Sequence, residues 1–435
     1  MTEAQSDAAV TATSDVPTAV VRRVLDALDV EELAELAVRL GAIESPAGSE
    51  GAAAEAVEEW WRAEDVPTQR IALDEHRPAI VATLKGTGGG HTLLFNAHLD
   101  TAVSRLDTLV YREPHARRYV SAWREGDLLL GNGLVNDKAP MAAFMIAAAA
   151  IKRSGVTLRG DLRLVSAPGE IGLEPMDEFN GVDYLGKDLG TRFTISHGAV
   201  GDAALVAETT GNALAWVMAG KAYFKLSVLG DEPLYTPFVP PERDLLAHPN
   251  SIVRASAAIG AINDWIADYG ERRYECAGGT VVPRAVIGAI RSGYPYKITK
   301  STEVTHLYLD VRLLPDVLPT QVKAEIEAAL RAAGLEFEIE CVLYRRGFEA
   351  SGIEPLARAV REGHRAEFGG DPPYPAAPTT SMWRDVNPYN EAGIPSLTYG
   401  PSASTGGGNF AMTVNDLNRS ARVYARAALA YCGLS

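Results

Sequence analysis

The chain has 435 residues, 47% hydrophobic and 22% charged, with a formal net charge of −15. That balance fits a globular protein of two or three domains and argues against non-specific nucleic-acid binding. Three scattered cysteines (Cys276, Cys341, Cys432), with no Cys-x-x-Cys pair, argue against a disulfide framework and for a reducing, cytoplasmic setting.

Residues 1–18 read as a disordered lead without the basic start and apolar core of a signal peptide. Apolar spacing predicts helices over 19–43 and 49–66. Strands follow over 79–86 and 91–100, joined by GTGGG as a hairpin-like turn. An Ala-rich helix over 137–155 contains the longest apolar run, 140–151, which is too short to span a bilayer, so no membrane partner is expected. Further strands lie in DLRLVSAPGE (161–170) and ALVAE (204–208). Strands alternating with helices predict an α/β domain with a mostly parallel sheet flanked by helices, over 19–212.

From 213 to 344 the order becomes strand–helix–strand–strand–helix–strand, an inserted α+β, ferredoxin-like lid or dimerisation domain. Its alternating YFKLSVLG stretch is expected to offer an edge for a homodimer. The α/β domain resumes over 345–435 with a helix at 352–369, the strand GIPSLTYGP and a closing helix at 415–432.

Four polar tips each follow an apolar strand or lead into a helix: His98 and Asp100, Asn136 and Asp137, Glu170, and Glu208. Ligands of open α/β sheets bind beyond the carboxyl ends of the strands, so these tips are expected to converge. Residues two apart on a strand face one side, so Asp100 can orient His98 as a metal ligand.

These stretches resemble the M20 metallopeptidase family, the group of carboxypeptidase G2, acetylornithine deacetylase and aminoacylase. NAHLDTA, GNGLVNDKAPMAA, SAPGEIG, ALVAETTG, LYLDVRLLPD and GIPSLTYGP each resemble one of its motifs. The resemblance implies hydrolysis by two metal ions about 3.5–4 Å apart, bridged by an Asp, with a Glu as general base. This chain departs from that pattern. Gly169 stands at the base position and Asn136 at the bridging position, with Asp137 next to it, where a one-residue loop shift would bring it inward instead. No histidine follows His364, and Tyr235 stands near where the lid histidine belongs.

The expectation is therefore one divalent ion, Zn²⁺ or Mn²⁺, held by His98, Asn136, Glu170 and Glu208, with Asp100 orienting His98. Proton-transfer candidates are Asp137, Glu174 and Asp177. The family match gives Arg312 a substrate carboxylate to bind; the alternative is an ion pair with Asp310. Trp383, Arg384 and Asn387 either line the pocket floor or belong to a loop packed on the core. The STGGGN stretch (404–409) is either an anion cradle or a plain loop. Two functions follow: a hydrolase of an amide or amine C–N bond in a small carboxylate-bearing substrate, or a catalytically silent relative that binds a ligand or partner.

Overall fold

The structure is a computed structural model that describes residues 16–172, 174–187, 189–293, 298–404 and 410–435. Most of the expected lead (1–15) and of the STGGGN loop (405–409) lies outside the described residues; the first helix already begins at Thr18. The chain forms two compact units. One comprises the chain up to Trp216, Ala350–Pro375 and Arg384–Ser435; the other comprises Val217–Glu349 and Ala376–Trp383. Residues 376–383 thus group with the inserted unit.

The larger unit is built on a six-stranded sheet. Its strands are β1 (Thr68–Ala72), β2 (Pro78–Leu84), β3 (Leu93–His98), β4 (Leu162–Ala167), β5 (Ala203–Ala207) and, after the insertion, β10 (Ser396–Tyr399). The spatial order is β1-β2-β4-β3-β5-β10. β4, β3, β5 and β10 run parallel, and β2 runs antiparallel to its two neighbours, β1 and β4. The expected hairpin between β2 and β3 does not form, because β4 lies between them and bonds to both. β3 and β5 are buried along their whole length, as strands covered on both faces must be.

Helix α1 (Ala139–Arg153) is buried all round from Ala139 to Ile151. Its alanines, with no χ freedom to lose, favour both the helix and close packing in the core. The Leu134–Arg153 segment is long and apolar enough to cross a membrane by composition, yet 94% of its most apolar window is buried in the fold. The closing helix α5 (Val414–Cys432) packs in the same core, its Thr413 side chain accepting the Asp416 N–H as an N-cap.

The inserted unit has β6 (Gly220–Leu229), α2 (Ser251–Tyr269), β7 (Ala285–Ser292), β8 (Val304–Leu313), α3 (Pro319–Ala332) and β9 (Phe337–Arg345). Its antiparallel sheet has the order β7-β8-β6-β9. β8 alternates buried and half-buried residues, so Leu307, Leu309, Val311 and Leu313 share one face and pack with Ile262, Val322 and Ile326. The expected dimer edge is corrected here: β6, which carries YFKLSVLG, is bonded on both sides, and the edges are β7 and β9.

One buried ion pair braces the larger unit near the tip of β4. Arg77 Nε and Nη2 donate to Glu50 Oε2 and Oε1 at 2.8 and 2.6 Å. The two side chains are 4% and 0% exposed. Arg77 Nη1 also donates to the carbonyls of Val182 and Leu185, tying down the loop beyond β4. Removing one partner strands the other charge in the interior. Arg77→Leu is expected to lower unfolding stability by about 3–5 kcal/mol in urea titration.

Candidate metal centre

The parallel register assembles the site. His98 ends β3 level with Ala167 at the end of β4, and Asn96 pairs with Val206 on β5. Two residues further along, the same neighbours become His98 and Glu208. Residues 134–138 precede α1, and the Asn136–Asp137 peptide there is cis.

His98, Asp137 and Glu208 form a group whose ligand atoms all lie within 4.8 Å of one another, and all three are buried. Neither carboxylate oxygen of Asp137 has a hydrogen-bond partner among the described residues. A fully buried carboxyl with both oxygens unsatisfied is costly, and a cation is what such a group would bind. The donors, one imidazole nitrogen and two carboxylates, suit a zinc- or manganese-type ion.

His98 Nδ1 lies 3.0 Å from the Asp100 carbonyl. A carbonyl only accepts, so Nδ1 carries a proton and Nε2 faces the group as the potential ligand. Nε2 is 3.2 Å from Asn136 Oδ1 and 4.0 Å from Glu170 Oε2. Burial opposes charge on the imidazole, but the Asp100 hydrogen bond and the attraction of Asp100, Glu170 and Asp137 outweigh it and hold its pKa well above the usual value.

The Asp100 carboxylate accepts the N–H groups of Glu170 (3.0 Å) and Ile171 (2.6 Å). It therefore fixes the turn that carries Glu170, while the Asp100 carbonyl orients His98. Burial raises its carboxyl, but the His98 hydrogen bond and charge and the backbone bond from Glu170 prevail and hold it below the usual range.

Gly169, at the position where the family resemblance puts the base, has φ +72°. A Cβ there would sit 2.9 Å from Arg77 Nη2. The left-handed backbone at 169 favours glycine, and a Cβ there would crowd the Arg77 guanidinium.

The remaining candidates divide. Arg384 is buried, with Nε 3.8 Å from Glu208 Oε2. Asn387, buried on helix α4 (Val386–Glu391), donates its N–H to the Arg384 carbonyl. Trp383 is buried within the inserted unit, and there Arg312 Nη2 pairs with Asp310 at 3.0 Å, the second of the two alternatives for it. Glu174 is half-buried and Asp177 exposed beyond β4, and neither belongs to the three-residue group. Tyr235 is 51% exposed in the inserted unit. Sequence reasoning missed the Glu50–Arg77 brace, which no local motif signals. It also placed Asp137 among the proton carriers, whereas its carboxylate lies in the three-residue group, with Asn136 Oδ1 3.2 Å from His98 Nε2.

The model of peptidase family M20/M25/M40 matches residues 94–430. Among solved structures, the fold is similar to an M20 family metallo-carboxypeptidase from Sulfolobus solfataricus, at 14% identity over 92% of this chain and 99% of that one, with a TM-score of 0.68. A di-peptidase from Saccharomyces cerevisiae matches at 12% identity over 95% and 98%, with a TM-score of 0.68. A dinuclear metal-binding peptidase of the M20 family from Bacillus subtilis matches at 13% identity over 94% and 98%, with a TM-score of 0.57.

Burial and the neighbouring Glu208 charge, only partly offset by His98 and Arg384, push the Asp137 carboxyl well above the usual range. As pH rises past the ordinary carboxyl value, the unfolded chain releases this proton and the folded chain keeps it, so stability is lost. Below that value the two states bind it alike. Asp137→Asn should therefore raise the melting temperature of chelator-treated protein at pH 8 by at least about 2 °C, with little change near pH 4. Scanning calorimetry at the two pH values checks this.

Proposed function

This chain belongs to peptidase family M20/M25/M40, a family of hydrolases, and from that premise we propose that it cleaves the C–N bond of a small carboxylate-bearing substrate, using one divalent ion. The observation that carries the proposal is the convergence of His98, Asp137 and Glu208 around an unsatisfied buried carboxyl. Catalytic zinc sites have three protein ligands and leave a position open for water. A bound ion in such a site acidifies water and polarises the carbonyl under attack.

The chain's own residues prepare that chemistry. Asp100 holds the His98 tautomer through its carbonyl and the Glu170 turn through its carboxylate. Arg384 places a fixed positive charge beside Glu208. The limit to one ion is supported by the donor supply. A second ion would have Glu170 without a histidine, since none follows His364 and His364 Nδ1 is bonded to the Tyr399 hydroxyl at 2.7 Å. Amide cleavage is the default chemistry; amine cleavage uses the same water and a different leaving group.

One observation favours the second reading, a silent ligand-binding relative: position 169 holds a glycine, which offers no proton acceptor. The two readings separate in one experiment. Elemental analysis of purified protein is expected to give close to one Zn or Mn per chain. Chelation should abolish turnover across a panel of N-acyl amino acids, dipeptides and aminobenzoates, and His98→Ala should lose the metal. Two ions per chain would overturn the single-ion proposal, and a metal-free, inert protein would favour the silent relative.

A further inference from the structure

The GIPSLTYGP stretch contains a glycine that the proposed chemistry does not use, Gly400, and the fold sets it against a residue that the chemistry does use. We infer that Gly400 is a positioning residue for Glu208. Its missing side chain lets the end of β10 close on the Glu208 peptide, and this aims the Glu208 carboxylate into the three-residue group. The inference rests on the metal-dependent reading above. Three observations carry it.

First, the register leaves no room for a side chain. β10 runs parallel to β5 with Tyr399 level with Ala207, so Gly400 and Glu208 are the next residues on neighbouring strands. A Cβ at position 400 would collide with the Glu208 carbonyl oxygen and lie 2.8 Å from the Tyr424 hydroxyl. The first obstacle is main chain, which cannot swing aside as a long side chain can. Gly400 is not one of the left-handed glycines. What alanine lacks at this position is space for a close backbone approach, not a permitted φ.

Second, the segment after Glu208 wraps round Gly400. The Gly400 N–H donates to Thr210 Oγ1 at 3.0 Å, and the Gly400 carbonyl accepts the Asn212 N–H at 2.9 Å. Both main-chain polar groups of this glycine are thus bonded to the turn that leaves Glu208.

Third, a buried tyrosine closes the other side. Tyr424, fully buried on α5, donates its hydroxyl to the Tyr399 carbonyl at 2.8 Å. The strand end is held between that hydroxyl and the Glu208 peptide. Glu208 is itself buried, with its carboxylate in the group of His98 and Asp137. In a close-packed interior, a displaced Glu208 peptide carries its carboxylate with it.

The experiment compares metal binding in Gly400→Ala and Gly201→Ala. Gly201 lies at the opposite end of β5, where a Cβ would meet the Thr92 carbonyl at 3.0 Å, so it reports strain away from the site. Calorimetric titration of chelator-treated protein with Zn²⁺ or Mn²⁺ should show affinity lowered about 10–100-fold in Gly400→Ala and within about threefold of wild type in Gly201→Ala. With Co²⁺ as the probe, the visible absorption of Gly400→Ala should differ from wild type, and that of Gly201→Ala should match it. Should Gly400→Ala not fold, Thr210→Val takes its place. Its affinity should fall about tenfold, while Thr210→Ser, which keeps the acceptor for the Gly400 N–H, should stay near wild type. A lower melting temperature with unchanged affinity and spectrum would make Gly400 a packing residue only and overturn the inference alone. An equal loss of affinity in Gly201→Ala would overturn it too. A wild-type protein that binds no metal would bring down the metal-dependent reading together with the inference.

Discussion

The site depends on the buried carboxylate of Asp100. It sits two residues past the end of β3 and accepts two backbone N–H groups from the turn after β4, while the carbonyl of the same residue holds the His98 ring. Two strand ends are thereby joined through one residue. The bonds are charge-assisted and dry, which makes them strong and gives them directional precision. His98 and Glu170 belong to different strands, yet neither can shift without disturbing Asp100. The spacing His-x-Asp is therefore a joint between strands as well as a second shell for a ligand.

A second brace lies under the same turn. Arg77 spends its guanidinium on Glu50 and on two carbonyls of the loop beyond β4, and it lies against Gly169. On the other side, Lys138 Nζ donates to the Ile43 carbonyl and to Ser45 Oγ, and Ser45 Oγ donates to the Leu99 carbonyl. Burial pushes the Lys138 amine down to about 7, but these bonds need donors only and survive in either protonation state. Asp137 is thus fixed by the residue that follows it, and the cost of its unpaired carboxyl is borne by rigid surroundings rather than relieved by motion.

The strands around the site were legible in the sequence because burial on both faces makes them short apolar runs, each ending in a polar tip. The inserted module was legible because β8 alternates with period two and α2 and α3 keep helical spacing. What failed concerns pairing and direction. The GTGGG link suggested a hairpin, but β4 inserts between β2 and β3, and pairing across that distance leaves no local trace. YFKLSVLG alternates, but alternation describes faces and says nothing about which strand is at an edge. The roles of Asn136 and Asp137 turned on backbone angles at an irregular turn (φ −132°, ψ 90° and φ −136°, ψ 15°), where neither helical nor strand periodicity fixes side-chain direction.

Arg384 completes the electrostatics. It begins the segment leading into α4, next to Asp385, which accepts the Thr191 hydroxyl at 2.7 Å, while Asn96 of β3 donates to both Thr191 and Tyr389. The residue next to Arg384 is thus tied into a network rooted in the sheet itself. Unit charges about 4 Å apart at an effective dielectric near 20 interact by about 4 kcal/mol, so Arg384 already offsets much of the Glu208 charge. Burial still raises the Glu208 carboxyl, with Arg384 and His98 pulling the other way. A dication held there would meet Asp137, Glu208 and the His98 nitrogen beside the fixed charge of Arg384.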